Sequence, residues 1–227
     1  HNIRHLCKST HFDIIVVRLR KKDHDNGEYI KRNELSLHRK EQMAASLKKL
    51  MTRKNLGRIT IQELADDCGI NRYTFYYHFQ DIYDLLAWTF RQDFEKLFAD
   101  RSRCPTLEAW IQNLIRYLKE NAAVCKSALS SMGGDSFRRI CVEDISGMMH
   151  DRLRELCRGR AVPDDYLDFL AAFYLEAVSG IMIGWIQSDM ESSEEQLTRY
   201  LLIALEGSLE TSLDRYMRSS RMTEETG

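Results

Sequence analysis

The sequence predicts an all-α protein, and three observations carry that prediction. Two prolines and eleven glycines in 227 residues leave little material for the turns that strands need. Apolar residues recur through most of the chain with the period of a half-buried helix. Helix start and stop signals bracket these runs: a Thr-x-x-Glu box, Asn or Asp before an apolar stretch, glycine after one.

Residues 1–34 fit that class least well. "STHFDIIVVRLR" could be a strand but has no hairpin partner nearby, and "KKDHDNGEYIKRNE" reads as a polar linker. A basic arm that touches DNA, an ordered appendage and residues upstream of the true start are competing readings, and an appendage without a central role is expected. From Leu37 to Lys54, Met43, Leu47, Leu50 and Met51 form one apolar face among basic residues. Gly57 interrupts. Thr60 and Glu63 then make a capping box, followed by Ile61, Leu64, Ala65 and Cys68 on one face. Gly69 is placed to end that helix and Asn71 to cap the next. Asp81 caps a longer helix through Leu85, Leu86, Phe90, Phe94 and Phe98. Two short helices joined by a tight glycine turn make a helix-turn-helix.

The second of these helices, "NRYTFYYHF", has two aromatic faces. At about 100° per residue, Phe75 and Phe79 fall on the same side and face the core. Tyr73 and Tyr77 point the opposite way; Tyr76 and Arg72 lie on one flank and Thr74 on the other. Rings on the outer face of a short helix suit a nucleic-acid groove, where they meet sugars and thymine methyls and their hydroxyls reach phosphates and base edges. The competing reading is that another part of the chain covers them.

The remaining chain reads as further helices. One runs from Pro105 to Asn121, and "SSMGGDS" is a break. Another runs from Ile140 to Arg158, a long one from Asp164 to Ser188, and a last one from about Ser193 to Arg218. The long helix is apolar on two sides and must be covered on both.

Charge divides along the chain. Residues 1–91 carry 17 Lys and Arg against 11 Asp and Glu, the remainder 16 against 23, which suits an anionic partner for the first part only. No run of about 18 consecutive apolar residues is present, so no membrane segment is expected. The six cysteines lack metal-ligand spacing and read as reduced, mostly core thiols. No G-x-S-x-G, phosphate loop or H-E-x-x-H occurs, so neither an enzyme nor a cofactor or metal site is expected.

"ITIQELADDCGINRYTFYYHFQDIYDLL" resembles the DNA-binding domain of the TetR/AcrR family of bacterial regulators, and is most similar to its branch of dihydroxyacetone-kinase regulators. With residues 1–34 set apart as the appendage, the resemblance implies a three-helix DNA-binding domain (35–88) and a helical regulatory and dimerisation domain (89–227). It implies a cytoplasmic homodimer on a palindromic double-stranded operator, controlled by a small-molecule or protein effector. Thr60 matches a phosphate-contacting position, Arg72, Tyr73 and Thr74 base-reading positions, Tyr76 a backbone and base-edge contact, and Tyr77 and His78 further phosphate contacts. The implied pocket would draw on Trp110, Tyr117, Met132, Phe137, Phe173, Tyr174, Met182 and Trp185. The implied dimer interface would draw on Phe169, Phe173, Gly180, Ile183, Leu201, Leu205 and Leu209. One departure stands out: Ile82 and Gln80 occupy positions where the family often has lysine. That departure supports an alternative, a co-regulator with weak DNA binding that acts mainly through a protein partner.

Overall fold

The computed structural model describes residues 33–98, 106–157 and 162–224, and among them all regular structure is helical. The expected appendage, apart from its last two residues, and Cys7 and Cys104 lie outside the described residues.

The first helix, α1, covers residues 33–51 and buries Met43, Leu47 and Met51. A 3-10 turn at Leu56–Arg58 leads to α2, Ile61–Cys68. Thr60 Oγ1 accepts from the Glu63 amide at 3.2 Å, and the Glu63 carboxylate accepts from the Thr60 amide at 3.0 Å, completing the capping box. Gly69 closes α2 at φ 64°, a left-handed conformation that costs glycine nothing. Asn71 Oδ1 accepts from the Thr74 amide at 2.8 Å and opens α3, Arg72–His78. Asp81 Oδ1 accepts from the Tyr83 and Asp84 amides and opens α4, Ile82–Phe98.

The C-terminal body comprises α5 (Leu107–Glu120), α6 (Ala122–Leu156), α7 (Asp164–Gln187), α8 (Glu194–Leu205) and α9 (Ser208–Glu224). One apolar core runs from Met43 and Leu47 through Phe75, Phe90 and Phe94 to Ile111, Val178 and Trp185. A smaller cluster joins Leu153, Leu167, Leu170 and Leu213 at the far end of α7.

Two sequence expectations are corrected. Residues 122–132, unassigned in the sequence, are helical, and the break in "SSMGGDS" narrows to Gly133 at φ 79° and ψ 163°. No glycine or proline separates α5 from this segment; Asn121 alone makes the turn. The last helix is two helices. Glu206 is extended and Gly207 sits at φ 70°, yet Leu201, Leu205 and Leu209 keep a helical spacing across the break and so conceal it. The expectation of no 18-residue apolar run holds, since no such run in α7 lacks charge, although α7 is long and apolar enough by length and composition to cross a membrane. Its inner side, Leu167, Leu170, Val178, Met182 and Ile186, is packed in the protein's own core.

Phe75 is fully buried, its ring 5.6 Å from Tyr76 and 6.0 Å from Phe79. Replacing it with Ala should cost about 3–5 kcal/mol of stability, read as a lower midpoint in urea unfolding; an unchanged midpoint would mean that the inner face of α3 is misassigned.

Candidate nucleic-acid interface

The outer face of α3 is open. Tyr73 is 82% exposed, Tyr77 76% and Tyr76 50%, and Arg72 is exposed beside them. No described element covers these rings, so the competing reading finds no support among the described residues. The helix is anchored by Phe75 and Phe79 on its other side, and ring exposure on the outer side follows from the 3.6-residue period alone. Thr74 is half-buried, and its hydroxyl is within 2.9 Å of Asn71 Oδ1; it serves the cap as well as the face.

Thr60 is exposed at the start of α2. Its position is held by Glu63, whose carboxylate also pairs with Lys54. The Lys54 hydrogen bond, then the Thr60 amide and hydroxyl, hold the Glu63 pKa down to about 2. His78 is half-buried and stacks edge-on against Tyr77 at 4.9 Å. Burial, and then the fields of Lys40 and Arg39, push its pKa below the usual value, so it is neutral at pH 7. Thr60, Arg72, Tyr73, Thr74, Tyr76, Tyr77 and His78 therefore lie on α3 or at the start of α2, the two helices of the helix-turn-helix. Ile82 is half-buried against the core, and Gln80 is exposed, its backbone N–H donating to Asp84 Oδ2. No cation from α4 stands in for the lysine of the resemblance at either position.

The turn that precedes Thr60 is gripped by the C-terminal body. The Leu56 amide donates to Ser127 Oγ at 2.8 Å in a buried bond, and the Gly57 amide to Ser131 Oγ at 3.1 Å. Asn55 lies against Ser130 and Ser131. All three serines belong to the part of α6 before Gly133.

Just beyond Gly133, α6 lines a cavity of about 50 Å³. Its walls are apolar, formed by Phe94, Trp110, Leu114, Phe137, Met182 and Ile183, with Arg138, Cys141 and Ser179 as its polar members. Arg138 is occupied by Asp135 and by Glu176 at 3.0 Å. Of the expected pocket residues, Trp110, Phe137 and Met182 line this cavity and the others do not. Tyr117 donates to Asp93 at 2.6 Å, bridging α5 to α4; burial and the Asp93 charge push its ionisation far up, so it stays a donor. Phe173 is 55% exposed. Tyr174 turns to α9, its hydroxyl 3.1 Å from Ser208 Oγ, and Trp185 gives its indole N–H to the Ser192 carbonyl at 3.0 Å. Met132 packs on the core without lining the cavity.

The outer side of α7 presents Phe169, Ala172, Phe173, Ala177, Gly180, Ile181 and Gly184, all exposed. A Cβ added at Gly180 or Gly184 would meet nothing within 4 Å. Among the expected interface residues, Phe169, Phe173 and Gly180 lie on this stripe. Ile183 instead lines the cavity, and Leu201 is buried in the protomer core. Leu205 and Leu209 are half-buried against the core and the far cluster. On α8, Tyr200 and Ile203 are also exposed, at 53% and 73%.

The comparisons with known proteins agree with this architecture. Residues 45–87 match the family described as "Bacterial regulatory proteins, tetR family", and residues 106–207 match "Transcriptional regulator C-terminal region" of the same family. Together they span more than half of the chain, which belongs to the TetR family of transcriptional regulators, non-enzymatic proteins that bind DNA. Among particular proteins, it is 34% identical over 79 residues to the HTH-type dhaKLM operon transcriptional activator DhaS of Lactococcus lactis subsp. lactis (strain IL1403). That match covers 35% of this chain and 42% of the relative, so less than half of the relative's length is matched. A solved structure described as "Dihydroxyacetone kinase operon activator DhaS" superposes with a TM-score of 0.60 at 21% identity, over 76% of this chain and 97% of that one, and shares the fold.

Glu63→Ala should lower the melting temperature, and the deficit should depend on pH. Because the folded-state pKa lies below the ordinary 4.5, the stabilisation is fully present above that pH and fades as pH falls toward about 2. Melting curves of the two proteins between pH 7 and 3 should therefore converge on acidification.

Proposed function

We propose that the chain is a regulator that binds a palindromic operator as a homodimer through α2 and α3, with affinity governed by an effector in the cavity of the C-terminal body. The observation that carries the DNA reading is the exposed ring face of α3 on a helix otherwise anchored in the core. A neutral protein surface gains nothing from two tyrosines more than three-quarters exposed on seven residues of helix; a major groove uses both ring and hydroxyl. Arg72 suits guanine O6 and N7, and the Thr74 methyl suits a thymine methyl.

The outer stripe of α7 supports the dimer. It is apolar apart from Glu176, which pairs with Arg138, and is lined with small residues at two turns, which suits a close helix–helix approach by a second copy. Two-fold symmetry would then place two α3 helices about 34 Å apart, in successive major grooves. Such burial also accounts for the apolar length of α7 without a membrane, and we place the protein in the cytoplasm.

The serine grip supports effector control. The same helix that lines the cavity after Gly133 holds Asn55, Leu56 and Gly57 before it, within five residues of Thr60. An occupant that shifts the segment after Gly133 would be felt at the turn that sets α2. Relatives named as activators of a dihydroxyacetone kinase operon make activation of such an operon the first regulatory role to test.

Selection of bound duplexes from a random library by the purified protein, at two salt concentrations, tests the reading. A palindrome should be enriched, less strongly at high salt. Tyr77→Ala should weaken binding to it with an unchanged melting temperature; a large fall in melting temperature would place the ring in the core. Phe173→Glu should give a folded monomer by sedimentation, with operator affinity reduced at least tenfold; a dimer at unchanged affinity would remove the α7 stripe from the interface.

A further inference from the structure

Gln80 and Ile82 leave the start of α4 without the cations that the resemblance places there. Cations reach the same neighbourhood from a different element. Lys40, on α1, holds Nζ 5.6 Å from the centroid of the Phe79 ring and 5.8 Å from that of Trp88. Phe79 ends the recognition helix and Trp88 lies on α4, so the ammonium sits over the junction of α3 and α4. Arg39 precedes it and is exposed.

These two residues differ from the neighbouring lysines. Lys48, Lys49 and Lys54 are neutralised by Asp93, Asp67 and Glu63. Neither Arg39 nor Lys40 is ion-paired among the described residues. The contact with two rings orders the lysine stem while its donors remain available. His78, packed against the outward Tyr77, lies within the fields of both cations. That places the pair beside the C-terminal end of the recognition helix. Unneutralised cations flanking a groove-filling helix suit the phosphodiester backbone, whose affinity for them comes from counterion release.

We propose that Arg39 and Lys40 clamp the phosphates flanking the recognition helix, and so restore from α1 the backbone contacts that Gln80 and Ile82 remove from α4. The proposal rests on the DNA reading above. Because phosphate contacts carry no sequence information, the pair should raise affinity without altering which bases are preferred.

The test is the salt dependence of binding to the enriched duplex, followed by fluorescence anisotropy between about 50 and 200 mM salt. The full chain is compared with R39Q, K40Q, the double variant, and the double variant carrying Q80K. Each lost contact should lower the slope of log affinity against log salt by about 0.9. Across that fourfold range the affinity loss should shrink roughly threefold in each single variant and roughly tenfold in the double. The enriched sequence should stay the same, and Q80K should restore about one unit of slope. K40Q keeps most of the stem over the rings. R39Q, exposed, carries the test alone if K40Q lowers the melting temperature. An unchanged slope in R39Q and the double variant overturns the clamp and leaves the DNA reading standing. A changed consensus overturns it in favour of base contacts. Absence of salt-dependent binding by the parent protein overturns both.

Discussion

The structure depends on how the turn before Thr60 is seated. Leu56 is fully buried, so its amide has no water to bond and must find a protein acceptor. Ser127 Oγ supplies it at 2.8 Å, and Ser131 does the same for Gly57. A helix-turn-helix that merely rested on the body could rock about α4. Here a buried hydrogen bond and an apolar side chain fix it at a second point, four residues from the exposed end of α2. Lys48, Asp93 and Tyr117 add a third tie, from α1 through α4 to α5.

Two helices show the same duality with opposite meaning. Both α3 and α7 carry apolar or aromatic residues on both sides, and in each one side is buried. On α3 the outward side adds hydroxyls and a guanidinium to its rings, through Tyr73, Tyr77 and Arg72. On α7 it offers Phe169, Phe173 and Ile181 among alanines and glycines, with no hydrogen-bonding group on those side chains. A wet, polar-edged groove suits the first and a dry helix face the second. The chemistry of the outward residues, rather than their exposure, distinguishes the two.

Most of the DNA-binding domain was legible in the sequence. The Thr60–Glu63 box, the Gly69 stop, and the Asn71 and Asp81 caps each depend on atoms within four residues along the chain, and each is present. The two faces of α3 followed from helical period once Phe75 and Phe79 were taken as the anchors. The C-terminal body was less legible. Residues 122–132 carry Ala, Cys and Ser, a weak apolar signal, and their serines find partners some 70 residues away in sequence. The break at Gly207 lies beneath an unbroken leucine ladder. Pocket membership could not be inferred from residue type: Tyr117, Tyr174 and Trp185 are aromatic and partly or wholly buried, yet each spends its polar atom on a partner outside the cavity.

The sequence by itself determined the helices of the DNA-binding domain, their caps and the rings turned outward, because capping and helical period are decided by neighbours along the chain. Tertiary structure alone decided that Leu201 faces inward, that Ile183 lines a cavity, that three serines hold the turn at Leu56, and that Lys40 stands over Phe79 and Trp88. Those outcomes depend on which helix packs across from which, and the distances involved join residues that local physics never compares.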